Sequence, residues 1–179
     1  MSSARGRAPP NVVFVPTPDA PPSLDFEHHP LLAIWEVTQA CDLACQHCRA
    51  CATPARDEAE LSTAEGLRLL DTIHAMGTPV VVLTGGDPAK RPDLPALVAH
   101  GAARGLVMTV TPSGTPAMTD SLVAELARAG VARLAVSLDA PDAASHDAFR
   151  GVEGSFAESL RILRAARACD RVAQPVRAS

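Results

Sequence analysis

Residues 31–52, LLAIWEVTQACDLACQHCRACA, run from an apolar segment straight into four of the chain's five cysteines. The segment LLAIWEV is almost continuously apolar, which predicts a buried β-strand. The loop that follows this strand holds Cys41, Cys45, Cys48 and Cys51. In parallel α/β folds, the loops after the carboxyl ends of the strands carry the functional residues. The cysteines therefore lie where a site is expected, provided that the rest of the chain builds such a fold.

The rest of the chain alternates between strand and helix patterns. Three further apolar strands are predicted, and amphipathic helices with apolar residues three or four apart connect the strands. The predicted strands are PVVVLTGGDP (79–88), LVMTVTPSG (106–114) and RLAVSLDAP (133–141), and the predicted helices span 62–77, 93–105, 119–130 and 154–168. Ser62 with Glu65, and Ser155 with Glu158, each predict a capping box at the start of a helix.

This alternation predicts an α/β protein with a parallel sheet, because each crossover returns through a helix. The pattern by itself does not separate a barrel from an open doubly wound sheet. It does place three polar or glycine-containing segments directly after strands, at the same edge of the sheet as the cysteines. These segments are Gly85–Asp87, Thr111–Ser113 and Ser137–Asp139.

Composition and charge argue against several classes of protein. Hydrophobic residues make up 47% of the 179 residues and charged residues 20%, which is typical of a globular domain with a real core. The net charge of −4 and the lack of a basic block argue against nucleic acid or an anionic membrane as a partner. No apolar run is long enough to span a bilayer, and the first residues lack the apolar core of a signal peptide. We therefore expect a cytoplasmic protein, whose reduced cysteines bind metal rather than form disulfides.

The two ends of the chain differ from its alternating middle. Residues 1–27 are rich in Pro, Ser and Ala and predict a disordered tail, with a short extended piece at NVVFV (11–15). Residues 28–170 form the predicted folded domain. Residues 171–179 are irregular where a fifth strand is due, so we expect a truncation or frameshift near Cys169.

The spacing Cys41-x3-Cys45-x2-Cys48 restricts what the thiols bind. A structural zinc site needs four ligands, usually in two separated pairs, and no second pair follows downstream. A bacterial ferredoxin has a different first gap and a distant Cys-Pro, which this chain lacks. Three thiolates on a [4Fe–4S] cluster would leave one iron open, which is the chemically useful arrangement. Cys51 is then expected to be a bystander rather than a fourth ligand.

Together these motifs resemble the radical S-adenosylmethionine (radical SAM) superfamily, whose C-x3-C-x2-C signature follows the first strand of a barrel. LTGGDP (83–88) resembles the family's Gly-Gly-Glu-Pro motif, although with Asp for Glu, and VSLDAP (136–141) and HDAFRG (146–151) are similar to later motifs. WEVTQACDLACQHCRA (35–50) is similar to the branch of haem-biosynthesis and peptide-modifying enzymes with a SPASM extension. The resemblance covers about residues 28–168. It implies a partial TIM-like barrel whose C-terminal units are missing.

The resemblance also implies cofactors and partners. Cys41, Cys45 and Cys48 would hold a [4Fe–4S] cluster, and the methionine part of SAM would chelate its open iron. Reductive cleavage of SAM would give a 5′-deoxyadenosyl radical, which takes a hydrogen atom from the substrate. A flavodoxin-like or ferredoxin-like protein is the implied electron donor. The substrate, a peptide or a small molecule such as a tetrapyrrole, is not specified.

The glycine turn after the second predicted strand is expected to contact SAM. Gly85 and Gly86 would let the backbone come close to the cofactor. Backbone carbonyls, or the Asp87 carboxylate, would accept hydrogen bonds from the methionine ammonium group.

Four residues from the other loops complete the expected cofactor site. Ser137 and Asp139 suit the ribose or the carboxylate of SAM. Arg150 would pair with the methionine carboxylate, and His47 would pack by the adenine or shape the loop.

Two other functions remain open from the sequence. The chain could be a remnant that binds a cluster without turnover, or an interaction module stabilised by zinc or a cluster. Trp35 is expected in the core, and Thr111 and Ser113 would either cap the third strand or touch SAM.

Overall fold

The computed structural model describes residues 29–169, in which the four predicted strands form one parallel sheet. The strands are β1 (Leu32–Glu36), β2 (Val80–Thr84), β3 (Val107–Val110) and β4 (Arg133–Leu134). The helices are α1 (Thr63–Ala75), α2 (Leu94–Ala103), α3 (Asp120–Ala129), α4 (Ala143–Arg150) and α5 (Ser155–Ala168), with a 3-10 turn at Pro88–Lys90. The predicted tail, its extended piece and the irregular C-terminal end lie outside the described residues.

The order of the strands settles the choice that the sequence pattern left open. The strands are adjacent in chain order, β1-β2-β3-β4, and successive helices pack on one another: α1 on α2, α2 on α3 and α3 on α5. A doubly wound sheet reverses its strand order and covers both faces with helices. An order that never reverses keeps right-handed crossovers on one face, as in the wall of a barrel. The described part of the chain is therefore an arc of a (β/α) barrel.

One face of this arc carries the hydrophobic core. Val81 and Leu83 of β2 and Met108 and Val110 of β3 are fully buried against the helices. Trp35 of β1 also packs against this core, as predicted. Gly66 of α1 permits that contact, because a Cβ atom there would lie 2.6 Å from the Trp35 ring. Alternate side chains of each strand therefore anchor the helical layer.

The other face of the sheet corrects the prediction that β1 is fully buried. Leu32 and Ile34 are 43% and 61% exposed, and Val107 of β3 is 45% exposed. Side chains alternate along a strand, so these residues point away from the helices. Within residues 29–169 no element covers them. A continuous apolar run is thus compatible with a strand whose second face is open in this part of the chain.

The segment after β3 differs from prediction in three places. The strand predicted at 133–141 is reduced to Arg133–Leu134, which pair with Thr109 and Val110 of β3. The helix α4 was not predicted from the sequence. The capping box at Ser155 is wrong: Gly154 is the N-cap of α5 and the Ser155 hydroxyl donates to Asp147 at 2.8 Å.

Among the described residues, no helix combines the length and the apolar character required to cross a bilayer.

Candidate functional site

The loops after the four strands surround a cavity of about 360 Å³ at the carboxyl edge of the sheet. Glycines and polar residues after β2, β3 and β4 face the cysteine loop across it. Of the residues predicted to bind a metal or a cofactor, the lining contains Cys41, Cys45, Cys48, His47, Gly85, Gly86, Ser137 and Arg150. Asp87 and Asp139 are not part of the lining.

The cysteine loop is closed at its base by main-chain hydrogen bonds. Thr53 donates its N–H to the Gln39 carbonyl at 3.0 Å, and Cys41 donates to the Thr53 carbonyl at 2.8 Å. Inside the loop, the N–H of Cys48 donates to the Cys45 carbonyl at 3.1 Å, which forms a tight turn between two cysteines. These bonds fold the loop back on itself, so that three thiols from eight consecutive positions line one cavity.

The environments of the cysteines differ. Cys41 is buried, Cys45 is half-buried, and Cys48 and Cys51 are exposed. Burial raises the pKa of the Cys41 thiol, although the N–H of Leu43, 3.4 Å from its sulfur, favours the thiolate. Cys51 has a left-handed backbone, with φ 47°, and does not line the cavity.

The glycine turn after β2 packs against residues 38–40, which connect β1 to the cysteine loop. The N–H of Gly86 donates to the Thr38 carbonyl at 2.7 Å. A Cβ atom at Gly85 would lie 2.2 Å from the Thr38 oxygen, and one at Gly86 would lie 2.5 Å from the Ala40 oxygen. The close approach that these glycines permit is therefore to the protein's own backbone as well as to the cavity. Any larger residue here would displace the start of the cysteine loop.

Asp87, which is predicted to contact the methionine ammonium group, is engaged by other groups of the protein. Its side chain is fully buried and accepts hydrogen bonds from the Thr115 hydroxyl at 2.5 Å and the N–H groups of Ala89 and Ser113 at 3.1 and 3.4 Å. Burial raises the pKa of this carboxyl, and the hydrogen bonds oppose that change. Asp87 caps the 3-10 turn and ties the loops after β2 and β3 together beneath the cavity.

Asp139, which is predicted to suit the ribose or the carboxylate of SAM, also has a partner within the protein. Its carboxylate accepts a hydrogen bond from Nε of Arg150 at 2.6 Å. Nη1 of Arg150 lies 3.8 Å from the sulfur of Cys45, within reach of a weak N–H···S hydrogen bond. Arg150, which is 7% exposed, therefore enters the cavity from α4 with one nitrogen on Asp139 and one on a cysteine.

His47 and Ser137 both line the cavity, and each lies next to a residue of α4. The ring of His47 stacks on the ring of Phe149, with centroids 4.4 Å apart and planes 11° apart. Ser137 keeps its place after β4, and its carbonyl lies 3.5 Å from Nε2 of the buried His146. Thr111 and Ser113 line the cavity too, and the Ser113 hydroxyl donates to the Gly86 carbonyl. The neighbours Phe149 and His146 were not predicted, since their helix α4 was missed.

Glu60 supports the start of the cysteine loop, a role that was not predicted from the sequence. It accepts hydrogen bonds from the Thr38 hydroxyl at 2.6 Å, the Gln39 N–H at 3.0 Å and Nε of Arg56 at 2.7 Å. Burial alone would raise the pKa of Glu60, but these hydrogen bonds hold it below its usual value. Glu60 stands in the charged stretch RDEAE, which carries no sequence signal for such a role.

Comparison with known families identifies the class of protein. The profile of the radical SAM superfamily matches residues 35–172, which is most of the chain. This match includes the cysteine loop, the glycine turn and α4. The chain belongs to the radical SAM superfamily, whose enzymes use a [4Fe–4S] cluster and SAM.

Two curated relatives place the chain more closely. An AdoMet-dependent heme synthase of Nitratidesulfovibrio vulgaris is 45% identical over 130 residues, which cover 73% of this chain and 35% of that protein. The mycofactocin maturase MftC of Mycobacterium ulcerans is 36% identical over 141 residues, or 77% of this chain and 37% of that protein. The chain therefore spans a little over a third of the length of these relatives.

A solved structure supports the fold. Streptococcus suis SuiB bound to S-adenosylmethionine matches with a TM-score of 0.70 and 19% identity, covering 80% of this chain and 33% of SuiB. SuiB bound to the precursor peptide SuiA matches with a TM-score of 0.67 and 20% identity, covering 80% and 32%. The partial barrel predicted from the sequence is thereby confirmed.

The donor set at the cavity fits the cofactor that the family uses. Within residues 29–169 no group of three or more His, Cys, Asp or Glu side chains converges closely enough to hold a single metal ion. The three thiols instead stand around a cavity, as ligands of a cluster several atoms wide do. Thiolate sulfur is the ligand that iron–sulfur clusters require, and N–H groups lie near two of the sulfurs.

Proposed function

We propose that this chain is the cofactor-binding part of a radical SAM enzyme that cleaves SAM reductively and abstracts a hydrogen atom from a substrate. The observation that carries the proposal is the position of the three signature cysteines. They line a single cavity at the carboxyl edge of the barrel arc, facing the loops after β2, β3 and β4. Cys41, Cys45 and Cys48 would hold the [4Fe–4S] cluster through their thiolates.

When bound, the reduced cluster and SAM supply the electron transfer that breaks a C–S bond to give methionine and a 5′-deoxyadenosyl radical. The protein's part is to hold both cofactors in place and to exclude water from them. The glycine turn brings the backbone of Gly85 and Gly86 to the wall of the cavity, where their carbonyls are candidates for the methionine ammonium group.

Arg150 and two other lining residues complete the proposed SAM site. Nη2 of Arg150 makes no hydrogen bond to a described residue, so it is available for the methionine carboxylate while Nε and Nη1 are engaged. Ser137 is assigned to the ribose. His47, fixed by its stacking on Phe149, is assigned to the adenine side of the cavity.

For the substrate we propose a tetrapyrrole on the route to haem. This choice rests on the heme synthase relative, which is 45% identical, against 36% for the maturase. A peptide is the second candidate, supported by the fold shared with SuiB, which binds a precursor peptide. The two are separated by measuring which substrate class increases release of 5′-deoxyadenosine from SAM in the reconstituted protein.

The cluster assignment is tested by anaerobic reconstitution followed by electron paramagnetic resonance, with and without SAM. We expect a [4Fe–4S]⁺ signal in the reduced protein that changes when SAM is added, because the open iron would take up the cofactor. Replacing Cys41, Cys45 or Cys48 by Ala should abolish the signal. The matched control is Cys51→Ala, which lies in the same loop and should leave both the signal and its response to SAM unchanged.

Three other outcomes would contradict the proposal in different ways. A signal that ignores SAM would indicate a cluster-binding remnant. A signal lost in Cys51→Ala would mean that Cys51 closes the fourth iron. A colourless, folded protein that retains zinc would favour the interaction module.

A further inference from the structure

The cysteine loop forms hydrogen bonds to the C-terminal end of α4. The N–H of Ala44 donates to the Arg150 carbonyl at 3.1 Å, and the N–H of Gln46 donates to the Phe149 carbonyl at 3.1 Å. The Gln46 side chain donates to the Ala148 carbonyl at 3.2 Å. The last carbonyls of a helix have no partner within the helix. Here three of them are satisfied by the two residues on either side of the second cysteine.

Side chains reinforce this main-chain contact. Phe149 stacks on His47, and Arg150 reaches the sulfur of Cys45. The bond of Asp139 to Nε of Arg150 fixes the direction of the guanidinium group. The loop and the end of α4 are thus joined around one cysteine, although about a hundred residues separate them in the chain.

Gly151, the residue after α4, makes this contact sterically possible. Its backbone is left-handed, with φ 71°, and a Cβ atom there would lie 2.5 Å from the carbonyl oxygen of Ala44. Gly154, three residues later, has a similar φ of 86° but open space around it. A glycine is therefore required at position 151 for two reasons: the left-handed backbone conformation and the close approach of the loop.

We propose that residues 148–151, the end of α4 and the glycine that follows it, position the Cys45 ligand and tune the electron affinity of the cluster through Arg150. The proposal rests on the proposed function, since it concerns the same cluster. Two main-chain hydrogen bonds and one from the Gln46 side chain hold the loop on both sides of Cys45. The N–H···S bond from the cationic Arg150 stabilises the added negative charge of the reduced cluster and so makes its reduction potential less negative.

The positioning role is tested by comparing Gly151→Ala with Gly154→Ala. Both variants place a Cβ atom on a left-handed backbone, so they share the same conformational strain. In Gly151→Ala that atom also meets the loop. We expect the iron content after reconstitution to fall and loss of iron to a chelator to accelerate several-fold in Gly151→Ala, with Gly154→Ala close to the unchanged protein. Equal behaviour of the two variants would overturn the proposal.

A measurement without the cluster keeps the positioning role separate from the proposed function. In the metal-free protein, the rate of Cys45 alkylation is followed by mass spectrometry of its peptide. We expect faster alkylation in Gly151→Ala than in Gly154→Ala, because the loop is displaced from α4. If the unchanged protein never binds iron but this difference appears, the proposed function fails and the loop contact stands. If the protein binds a cluster and no difference appears, the proposed function stands and the positioning role of the loop contact fails.

The tuning role is tested by comparing Arg150→Met with Arg49→Met. Arg49 follows Cys48 in the same loop and is 88% exposed, and its guanidinium binds Glu36 rather than a sulfur. Each variant removes one positive charge. In a redox titration without SAM, we expect Arg150→Met to shift the midpoint potential to more negative values by clearly more than Arg49→Met does. Equal shifts would mean that the net charge alone matters and would refute the tuning role.

Discussion

Arg91 is the residue on which three parts of the fold converge. It is 1% exposed, and Nη1 donates to the carbonyls of Val37 and Leu61, both at 3.0 Å. Its guanidinium forms a two-pronged ion pair with Asp93, with distances of 2.8 and 2.6 Å. This pair lowers the pKa of Asp93 to about 2. Arg91 thus joins the end of β1, the start of α1 and the start of α2.

Arg91→Met is expected to lower the free energy of unfolding by ~3–5 kcal/mol, because it removes one partner of a buried pair and leaves two carbonyls unpaired. Denaturant unfolding measures the change. Arg104→Met is the control, since Arg104 binds Asp71 at 3.1 Å but is 46% exposed, and an exposed pair contributes less than about 1 kcal/mol. A loss in Arg91→Met as small as in the control would show that the pair does not hold the elements together.

Residue identity alone did not reveal which polar side chains form hydrogen bonds to other elements of the protein. Asp87 and Asp139 were both predicted to face SAM, since each follows a strand. In the structure, Asp87 accepts a hydrogen bond from the Thr115 hydroxyl, and Asp139 accepts one from the Arg150 guanidinium. A carboxylate near a cavity binds whichever donor lies closest in three dimensions, and those donors come from other elements.

At the scale of elements, α4 and α5 are connected through Asp147. This residue lies in α4, and its carboxylate accepts hydrogen bonds from the N–H groups of Gly154 and Phe156 at 2.7 and 2.8 Å. It also accepts from the Ser155 hydroxyl at 2.8 Å. The cap of α5 is therefore supplied by the preceding helix. The predicted capping box is wrong because it assumed that both partners lie in α5, whereas the carboxylate that caps this helix comes from α4.

Asp147→Asn is expected to lower the melting temperature at neutral pH, because the amide NH₂ would face an N–H donor. These hydrogen bonds lower the pKa of Asp147 from 3.8 to about 2. The stabilisation is therefore complete above pH 3.8 and is lost as the pH falls through about 2. Calorimetric melts across this pH range should show the difference between the two proteins shrinking toward acid.

The control for this prediction is Asp142→Asn. Asp142 is the N-cap of α4, where it accepts the Ser145 N–H at 2.9 Å. Asn caps a helix as well as Asp does, so the melting temperature should change little. If both variants melted alike at neutral pH, the cap from α4 to α5 would have no special importance.

At the scale of the whole molecule, the two faces of the sheet differ in what covers them. Leu83 of β2 is fully buried beneath the helices, whereas Ile34 of β1 is 61% exposed on the opposite face. Both are branched aliphatic residues near the same end of the sheet, and their strands pair directly. The asymmetry follows from a strand order that keeps the helices on one side.

Leu83→Ala is expected to lower the free energy of unfolding by ~2–5 kcal/mol, since it leaves a cavity in the core. Ile34→Ala should cost less than about 1 kcal/mol, because its side chain is already largely in contact with solvent. Chemical denaturation of this 179-residue chain measures both. A comparable loss at Ile34 would mean that the second face is covered in solution, for example by a second copy of the chain.

The sequence by itself determined the alternation of strands and helices apart from α4, and it determined the parallel sheet. Its motifs also implied the partial barrel by resemblance, and the strand pattern placed the cysteines, the glycine turn and Ser137 at one edge. Helix and strand periodicity, glycine turns and cysteine spacing are local properties, so they can be recognised without knowledge of distant contacts. The tertiary structure decided the exposure of one face of β1 and the contact of helix α4 with the loop around Cys45. These features depend on which distant groups come within hydrogen-bonding or packing distance, and no local pattern encodes that.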